Sequence, residues 1–328
     1  MKSLLLHKFT FDRTRSRLSA YADRVTPIAM DLAGVFHDTK TGVAIEQPQP
    51  DIGFGSNDVW SNPKARKFLA ALQETPRLEW FQSSAAGADF PALAALGRKA
   101  DAYTTCHVQS EAMAEWALWS ALDFLRAGPA LRSQQASKTW ARVQSREIAG
   151  SRWLIIGFGS IGAAIGRRVK AVGGHVTGVR RSGGSAPEAD TIVASLTPQL
   201  LATADIVLLS VPHTRETEGM ADAAFFAAMK PDAAFLNLGR GSLVKENDLM
   251  AALDAGRPAY AALDVTKKEP LPADNPLWSH PKVMITPHDS GFTYGTLTRA
   301  DDLFLDNLDR FLGGRPLRHL ADKSIFKE

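Results

Sequence analysis

The sequence predicts an α/β protein whose second part folds as a doubly wound parallel sheet. At 328 residues the chain is long enough for two domains of ordinary size. From residue 152 onward, short apolar runs alternate with helical patterns, which is typical of parallel strands joined by right-handed crossovers. The first of these runs, at residues 153–156, passes directly into a glycine-spaced turn and then into a helix.

Composition and charge narrow the class of protein. Apolar residues make up 45% of the chain and charged residues 22%, as in a globular protein with a packed core. A net charge of +3 without a long basic run argues against nucleic acid as a partner. The single cysteine, Cys106, excludes an internal disulfide and a cysteine metal cluster, and no metal is expected. The charged N-terminal segment and the absence of long apolar stretches predict a soluble cytoplasmic protein without a membrane partner.

The expected elements follow from apolar periodicity and from turn residues. Strands are expected at residues 2–7, 51–55, 77–82 and 102–105, then at 152–156, 175–179, 205–210, 233–237, 260–264 and 282–285. Helices are expected at 13–22, 62–74, 109–126 and 296–312, besides those between the later strands. Residues 31–50 are left unassigned apart from a strand at 42–45, and residues 128–150 are expected to be an irregular connection.

The glycines that follow residues 153–156 have the spacing of a dinucleotide-binding turn. Gly157 allows a tight turn, Gly159 lets backbone amides approach a pyrophosphate, and Gly162 lets the next helix pack closely on the strand. Unpaired N–H groups and a partial positive charge at the helix N-terminus favour an anion there. We therefore expect this turn, with Ser160 and Ile161, to bind a dinucleotide.

The predicted helix at 109–126 is apolar on most of its surface. A helix of this kind is buried in a core or in a subunit contact. Trp116 and Trp119 could form a cofactor platform, but their helical spacing favours packing in the core or at a dimer contact. A homodimer is the expected assembly.

Ionisable residues stand at the ends of three predicted strands, within residues 237–241, 262–269 and 286–289. In an open α/β sheet, ligands bind at this edge. Arg240 can hold a carboxylate with two parallel hydrogen bonds, and His288 can exchange a proton near neutral pH. Glu269, if hydrogen-bonded to that histidine, favours its charged form and fixes its orientation. Beside a nicotinamide, these are the groups that reduction of a 2-oxo acid needs.

Ordered motifs between residues 77 and 293 resemble those of the D-isomer-specific 2-hydroxyacid dehydrogenase family. The motifs are PRLEWFQSSAAGAD, EAMAEWAL, GFGSIG, ADIVLLSVPHTRET, MKPDAAFLNLGRGSLV, ALDVTKKEPLPADNPLW and TPHDSG. The resemblance implies two doubly wound parallel-sheet domains, with a Rossmann cofactor domain inserted in a flavodoxin-like substrate domain. The expected boundaries are 106–295 for the cofactor domain and 1–105 plus 296–328 for the substrate domain.

The same resemblance implies roles for particular residues. Arg240 would bind the carboxylate and carbonyl of the substrate, His288 would be the acid and base, and Glu269 would be its partner. A loop would bind the carboxylate through backbone amides, and Asp264 would contact the nicotinamide amide; the loop residues are Ala85, Ala86 and Gly87. The expected cofactor residues further include Val211, Pro212, Thr217, Leu238, Gly239 and Ser290. Asp289 departs from the apolar or small residue usual after that histidine, and no role is assigned to it.

The end of the second strand of the cofactor domain predicts NADP(H). An enzyme that uses NAD carries an acidic residue there, whereas this chain has Arg180 followed by Arg181 and Ser182. Two guanidinium groups and a hydroxyl would hold a 2′-phosphate that a carboxylate would repel. Two solvated arginines in a loop are the alternative.

The expected activity is hydride transfer from NADPH to C2 of a small 2-oxo acid, of the glyoxylate or hydroxypyruvate type. The product would be a D-2-hydroxy acid, with His288 as proton donor. Two alternatives stay open: a reductase of bulkier 2-oxo acids, such as phenylpyruvate or branched-chain ones, and a non-catalytic protein that senses dinucleotides. His107 and Trp60 are candidate pocket residues, and His213 is expected at the cofactor edge or the surface.

Overall fold

The computed structural model describes residues 1–87 and 90–326 and divides the chain into two compact units. One unit comprises Met1–Val108 and Phe292–Glu328, and the other comprises Gln109–Gly291. The second unit begins at residue 109 and the first resumes at residue 292, each just before a long helix, whereas the predicted boundaries are 106 and 296. The few linking residues carry no change in composition that would mark the position of the division.

The first unit has a seven-stranded sheet in its described residues. Its strands are β1 Lys2–His7, β2 Val25–Met30, β3 Phe36–Asp38, β4 Ala44–Ile45, β5 Ile52–Gly55, β6 Trp80–Ser83 and β7 Ala102–Thr104. The strand order is β4-β3-β2-β1-β5-β6-β7, and pairing is parallel except along β3. Its first helices are α1 Lys8–Leu18, α2 Asn57–Trp60, α3 Ala65–Glu74 and α4 Pro91–Lys99. The order of the parallel strands is the flavodoxin-like one.

The second unit has a fully parallel sheet with helices between its strands. Its strands are β8 Arg152–Ile156, β9 His175–Val179, β10 Thr191–Val193, β11 Ile206–Leu209, β12 Ala234–Asn237, β13 Tyr260–Leu263 and β14 Val283–Ile285. Its helices are α5 Ser110–Leu125, α6 Gly128–Ala136, α7 Ser160–Ala171, α8 Pro198–Thr203, α9 Ala223–Ala228 and α10 Glu246–Asp254. The chain then returns to the first unit with α11 Tyr294–Leu312.

The strand order of the second unit confirms the predicted fold class. The order β10-β9-β8-β11-β12-β13-β14 places β8 between β9 and β11, which is the arrangement of a Rossmann fold. The strand order reverses at β8, because β9 and β10 lie on one side of it and β11 to β14 on the other, so the glycine turn after β8 stands at the crevice where such folds bind ligands. Leu154 and Ile155 of β8 point into different hydrophobic clusters, as expected for a strand covered by helices on both faces.

Several predicted elements were wrong or missing. Strand β2 was overlooked because Pro27 interrupts its apolar run, although Pro27 lies in register with Leu4 of β1. Helix α1 begins at Lys8, five residues before the predicted start, where the His7 ring accepts a hydrogen bond from the Phe9 amide. The polar segment after residue 128 contains α6, and β3 and β10 are three-residue strands too short for periodicity to reveal. None of the helices in the described part of the chain has the length and apolar character to cross a membrane.

Candidate active site

The glycine turn joins β8 to α7 and leaves open space at the start of the helix. Gly157 has φ of +100°, and a Cβ there would lie 2.7 Å from the backbone of Ser210 and Val211, so only glycine fits. At Gly159, in contrast, no heavy atom lies within 4 Å of an added Cβ. This space lies in front of the N-terminus of α7, where a pyrophosphate would receive backbone hydrogen bonds. The residues present therefore fit a dinucleotide.

The two arginines of the loop after β9 differ in their contacts. Arg180 donates from Nε and Nη2 to the carbonyl oxygen of Gly183, at 3.1 and 2.8 Å, and from Nη2 to that of Ser185 at 3.3 Å. Arg181 and Ser182 are exposed. Arg180 thus holds the shape of the loop, whereas Arg181 and Ser182 stand on its surface.

The loop after β11 closes on itself through threonine. The Thr217 hydroxyl donates to the carbonyl oxygen of Pro212 and accepts from the Thr214 amide, each at 2.8 Å. His213 Nδ1 lies 2.9 Å from the Ser242 hydroxyl and is exposed. The loop containing Val211, Pro212 and Thr217 therefore has a defined conformation at the same sheet edge as the glycine turn.

Arg240 sits in a turn that two neighbouring groups hold in place. The buried Asn237 amide donates to the carbonyl oxygen of Arg240 at 2.9 Å and accepts from the Gly239 amide at 3.1 Å. A Cβ at Gly241 would lie 1.9 Å from the carbonyl carbon of Thr266, so this turn packs backbone to backbone against the residues that precede Glu269. Asn237 was not predicted to have a role in the site, although a polar amide at the end of a buried strand is a signal for one.

His288 and Glu269 form a hydrogen-bonded pair. His288 Nδ1 lies 2.8 Å from Glu269 Oε2, and Glu269 Oε1 accepts from the Thr266 amide at 3.1 Å. The hydrogen bond to Glu269 raises the pKa of His288 above its usual value, burial opposes this, and the charges of Glu269 and Asp264 add to the rise. Burial alone would raise the pKa of Glu269, but the hydrogen bond and charge of His288 keep that pKa below its usual value. The arrangement favours an imidazolium beside a carboxylate.

Asp264 holds the turn that carries His288. Its Oδ1 accepts from the Thr286 hydroxyl at 2.7 Å and from the Asp289 and Ser290 amides at 2.9 and 3.1 Å, and the Ser290 hydroxyl donates to Oδ2. The His288 amide donates to the Asp264 carbonyl oxygen at 2.8 Å. Asp264 is only 2% exposed. Its predicted contact with nicotinamide stays a prediction.

Asp289, to which the sequence assigned no role, takes part in this turn through its amide. Its side chain is exposed, yet partial burial and the charge of Asp264 raise its pKa above the usual value. Nothing in the structure explains the choice of aspartate at this position.

The predicted carboxylate loop lies in the other unit, after β6. Ala85 is fixed on both sides, because its amide donates to the Ser83 hydroxyl and its carbonyl oxygen accepts from the Cys106 amide, each at 3.0 Å. Within residues 1–87 and 90–326, no hydrogen bond uses the amides of Ala86 and Gly87. The last residues of the same motif, 88 and 89, lie outside the described part of the chain.

Two further sequence candidates, Trp60 and His107, and the single cysteine also lie in that unit. Trp60 Nε1 donates to the Ser84 hydroxyl at 2.9 Å and so lies beside the loop. The rings of His107 and His319 are 5.1 Å apart, and burial lowers the pKa of His107. Cys106 is fully buried, and burial raises the pKa of its thiol to about 11.

The second unit thus brings Arg240, Glu269 and His288 to one edge of its sheet. They follow β12, β13 and β14, which are parallel neighbours and end on the same side. Arg240 is near enough for its charge to lower the pKa of both other residues. Fold and site define a dinucleotide-binding α/β protein with an acid–base pair and an arginine at the ligand edge.

The family follows from a match to residues 118–290, which fit the model for "D-isomer specific 2-hydroxyacid dehydrogenase, NAD binding domain". The chain belongs to the D-isomer-specific 2-hydroxyacid dehydrogenase family, which confirms the resemblance found in the sequence. A solved family member from Aeromonas salmonicida subsp. salmonicida is 30% identical, with a TM-score of 0.79 over 98% of both chains. Another, from Xanthobacter autotrophicus in complex with NADPH and MES, is 26% identical, with a TM-score of 0.76 over 99% of both chains.

Curated relatives carry reductase names. A hydroxypyruvate reductase of Blautia hydrogenotrophica is 36% identical over 52% of this chain and 53% of its own. A glyoxylate reductase/hydroxypyruvate reductase of Homo sapiens is 39% identical over 50% of each chain. The chain spans about half the length of these relatives.

Proposed function

We propose that this protein is an NADPH-dependent reductase of small 2-oxo acids that forms D-2-hydroxy acids. The observation that carries the proposal is the 2.8 Å pair of His288 Nδ1 and Glu269 Oε2, together with Arg240 at the same sheet edge. Relatives named as glyoxylate and hydroxypyruvate reductases support the substrate class.

The chain's own residues supply the acid and the positive charge. Because Glu269 occupies Nδ1 of His288, the proton for the substrate's carbonyl oxygen comes from Nε2. Arg240 offsets the negative charge that develops on that oxygen and holds the carboxylate. When bound, NADPH supplies the hydride to C2. After transfer, neutral His288 regains a proton from solvent while Glu269 holds its orientation.

The cofactor preference is proposed from the loop after β9. Arg181 and Ser182 are exposed beside the loop that Arg180 shapes, and they present a cation and a hydroxyl for a 2′-phosphate. The relative from Xanthobacter autotrophicus was solved with NADPH, which supports this preference. Leu238, Gly239, Asp264 and Ser290 are proposed to complete the nicotinamide end of the site.

Two further features belong to the proposal. The amides of Ala86 and Gly87 are proposed as carboxylate ligands. The expected homodimer is supported by large apolar side chains exposed on α5 and α6, namely Trp119, Leu122 and Leu131. A cytoplasmic location suits the single buried thiol.

A substrate panel tests the proposed activity. NADPH oxidation is followed by absorbance with glyoxylate, hydroxypyruvate, phenylpyruvate and a branched-chain 2-oxo acid, with His288→Asn as the control. We expect turnover of the two small acids and loss of at least about a hundredfold in the control. Faster turnover of the bulkier acids would favour the alternative substrate class. Tight NADPH binding without turnover of any acid would overturn the activity and favour a dinucleotide sensor.

A further inference from the structure

A chain of hydrogen bonds connects helix α5 with the turn that carries His288. The indole Nε1 of Trp116 donates to the Thr286 hydroxyl at 2.9 Å, and that hydroxyl donates to Asp264 Oδ1 at 2.7 Å. Trp116 is 6% exposed and Asp264 is 2% exposed, so little water competes for these bonds.

The donor and acceptor properties of the three groups fix the direction of these hydrogen bonds. An indole N–H can only donate, and a carboxylate can only accept. The Thr286 hydroxyl has a single hydrogen. It therefore accepts a hydrogen bond from Trp116 and donates one to Asp264. The three groups can be arranged in only one way, and each bond orients the next.

The Asp264 carboxylate organises residues on both sides of His288. It accepts from Thr286 before the histidine, and from the Asp289 and Ser290 amides after it. His288 itself has φ of +55°, a backbone conformation that residues other than glycine rarely adopt. Such a conformation persists only where several surrounding contacts enforce it.

We propose that Trp116 is a positioning residue for His288, acting through Thr286 and Asp264. His288 has here the role of proton donor described above, so the inference rests on that proposed function. Trp116 does not touch the reacting groups; its indole N–H orients the hydroxyl that fixes one side of the turn. The helical packing expected for Trp116 is retained, because the ring lies in the core cluster while its N–H serves the turn.

The positioning can be measured at the histidine itself. Glu269 and Asp264 favour the charged imidazole, Arg240 opposes it, and Asp289 adjoins it in the same turn. If the turn relaxes, His288 Nδ1 moves away from Glu269 and loses the hydrogen bond that favours its charged form. Its pKa should then fall toward the usual 6.5.

The experiment compares variants that remove one hydrogen-bonding group and keep the shape. Trp116→Phe removes the indole N–H, Thr286→Val removes the hydroxyl, and Thr286→Ser keeps it. Trp153→Phe is the matched control, since this buried indole donates to Ser151 at the opposite end of the sheet. The eight histidines are labelled with ¹³C, His288 is assigned by its loss in His288→Asn, and its titration is followed in the cofactor-free protein. The pH profile of kcat/KM is measured in parallel.

We expect Trp116→Phe and Thr286→Val each to lower the titration midpoint of His288 by about half a unit or more. Each should also reduce kcat/KM about fivefold, as for loss of one buried hydrogen bond. Thr286→Ser and Trp153→Phe should leave the midpoint unchanged. Combining Trp116→Phe with Thr286→Val should add nothing further, because both act on one chain.

An unchanged midpoint in Trp116→Phe, or strictly additive effects in the double variant, would overturn the proposal. An equal shift in Trp153→Phe would overturn it too, since that would reveal only a general response to loss of an indole. Because the titration needs no cofactor or substrate, it stays informative if no 2-oxo acid is reduced. Absence of turnover would then count against the proposed function alone.

Discussion

His288 Nδ1 lies 2.8 Å from Glu269 Oε2, and the Thr266 amide holds the other oxygen of the same carboxylate at 3.1 Å. The carboxylate therefore cannot rotate without breaking a bond to its own loop. This fixes the imidazole plane and leaves Nε2 as the atom for the proposed proton transfer. The pair also favours the charged histidine, which is the form a reductase needs.

Replacing Glu269 with Gln should lower the pH above which the reductive kcat/KM falls. The folded protein raises the pKa of His288 above 6.5, first through the hydrogen bond to Glu269 and then through its charge. The reductive kcat/KM should fall as pH rises through that raised value, because only protonated His288 donates. Glu269→Gln removes the negative charge, so the falling limb should move to lower pH by about one unit. Initial rates of NADPH oxidation across the pH range measure this.

The contribution of the same pair to the stability of the folded protein should also decrease as pH rises. Because the folded state raises the pKa of His288 and lowers that of Glu269, the pair stabilises the protein fully between their usual values of 4.5 and 6.5. This contribution is lost as pH rises through the raised value. The difference in thermal stability between wild type and Glu269→Gln should therefore shrink at high pH. A difference that grows there would contradict the pairing.

Gly159→Ala should separate cofactor binding from folding. The added methyl group meets nothing within 4 Å, and φ of −95° suits alanine, so the thermal stability of the cofactor-free protein should not change. NADPH affinity should weaken at least about tenfold, because the methyl group occupies the expected pyrophosphate position. Gly157→Ala is the contrasting variant: its Cβ would collide with the backbone at Ser210, so it should lose stability. Unchanged NADPH affinity in Gly159→Ala would place the cofactor elsewhere.

Changes at Arg180 and Arg181 should alter cofactor preference in different ways. Arg181→Gln should reduce kcat/KM for NADPH about tenfold and leave NADH unaffected, because it removes a charged phosphate ligand. Arg180→Asp should shift preference toward NADH and also loosen the loop, since Arg180 holds the Gly183 carbonyl. Exposed Arg66→Gln, in the other unit, controls for net charge. Equal or better efficiency of the wild type with NADH would contradict the predicted preference.

The candidate site residues that directly follow a predicted strand could be found from the sequence. Arg240, Glu269 and His288 each follow an apolar run, and a parallel sheet brings such ends to one edge. The link from Trp116 to Thr286 could not be predicted, because 170 residues separate them and no periodicity relates a helix to a distant turn. The different contacts of Arg180 and Arg181 could not be predicted either, since they depend on the direction in which each guanidinium group points.

The fold could be predicted best where strands are fully apolar and turns are marked by glycine. All six strands predicted from residue 152 onward are present, and β10 alone among those described there was missed. The first unit was harder, because β2 contains a proline and β3, which lies between β2 and β4, has three residues of which only Phe36 is apolar. A strand this short carries no detectable hydrophobic pattern.

The exposed apolar face of the second unit predicts the assembly. Trp119 is 52% exposed, and Leu122 and Leu131 are 41% and 46% exposed, on the adjoining helices α5 and α6. Exposed apolar clusters of this kind mark contacts between proteins, and a twofold axis lets one such face bury itself against its copy. Trp119→Glu should place a charge in that contact and convert a dimer into a monomer.

Light scattering coupled to gel filtration measures the change. Wild type should elute with twice the chain mass and Trp119→Glu with the mass of one chain. Trp278→Glu is the matched control, since Trp278 has the same 52% exposure in this unit but lies outside α5 and α6. A monomeric wild type, or a dimer that survives Trp119→Glu and dissociates in Trp278→Glu, would contradict the predicted interface.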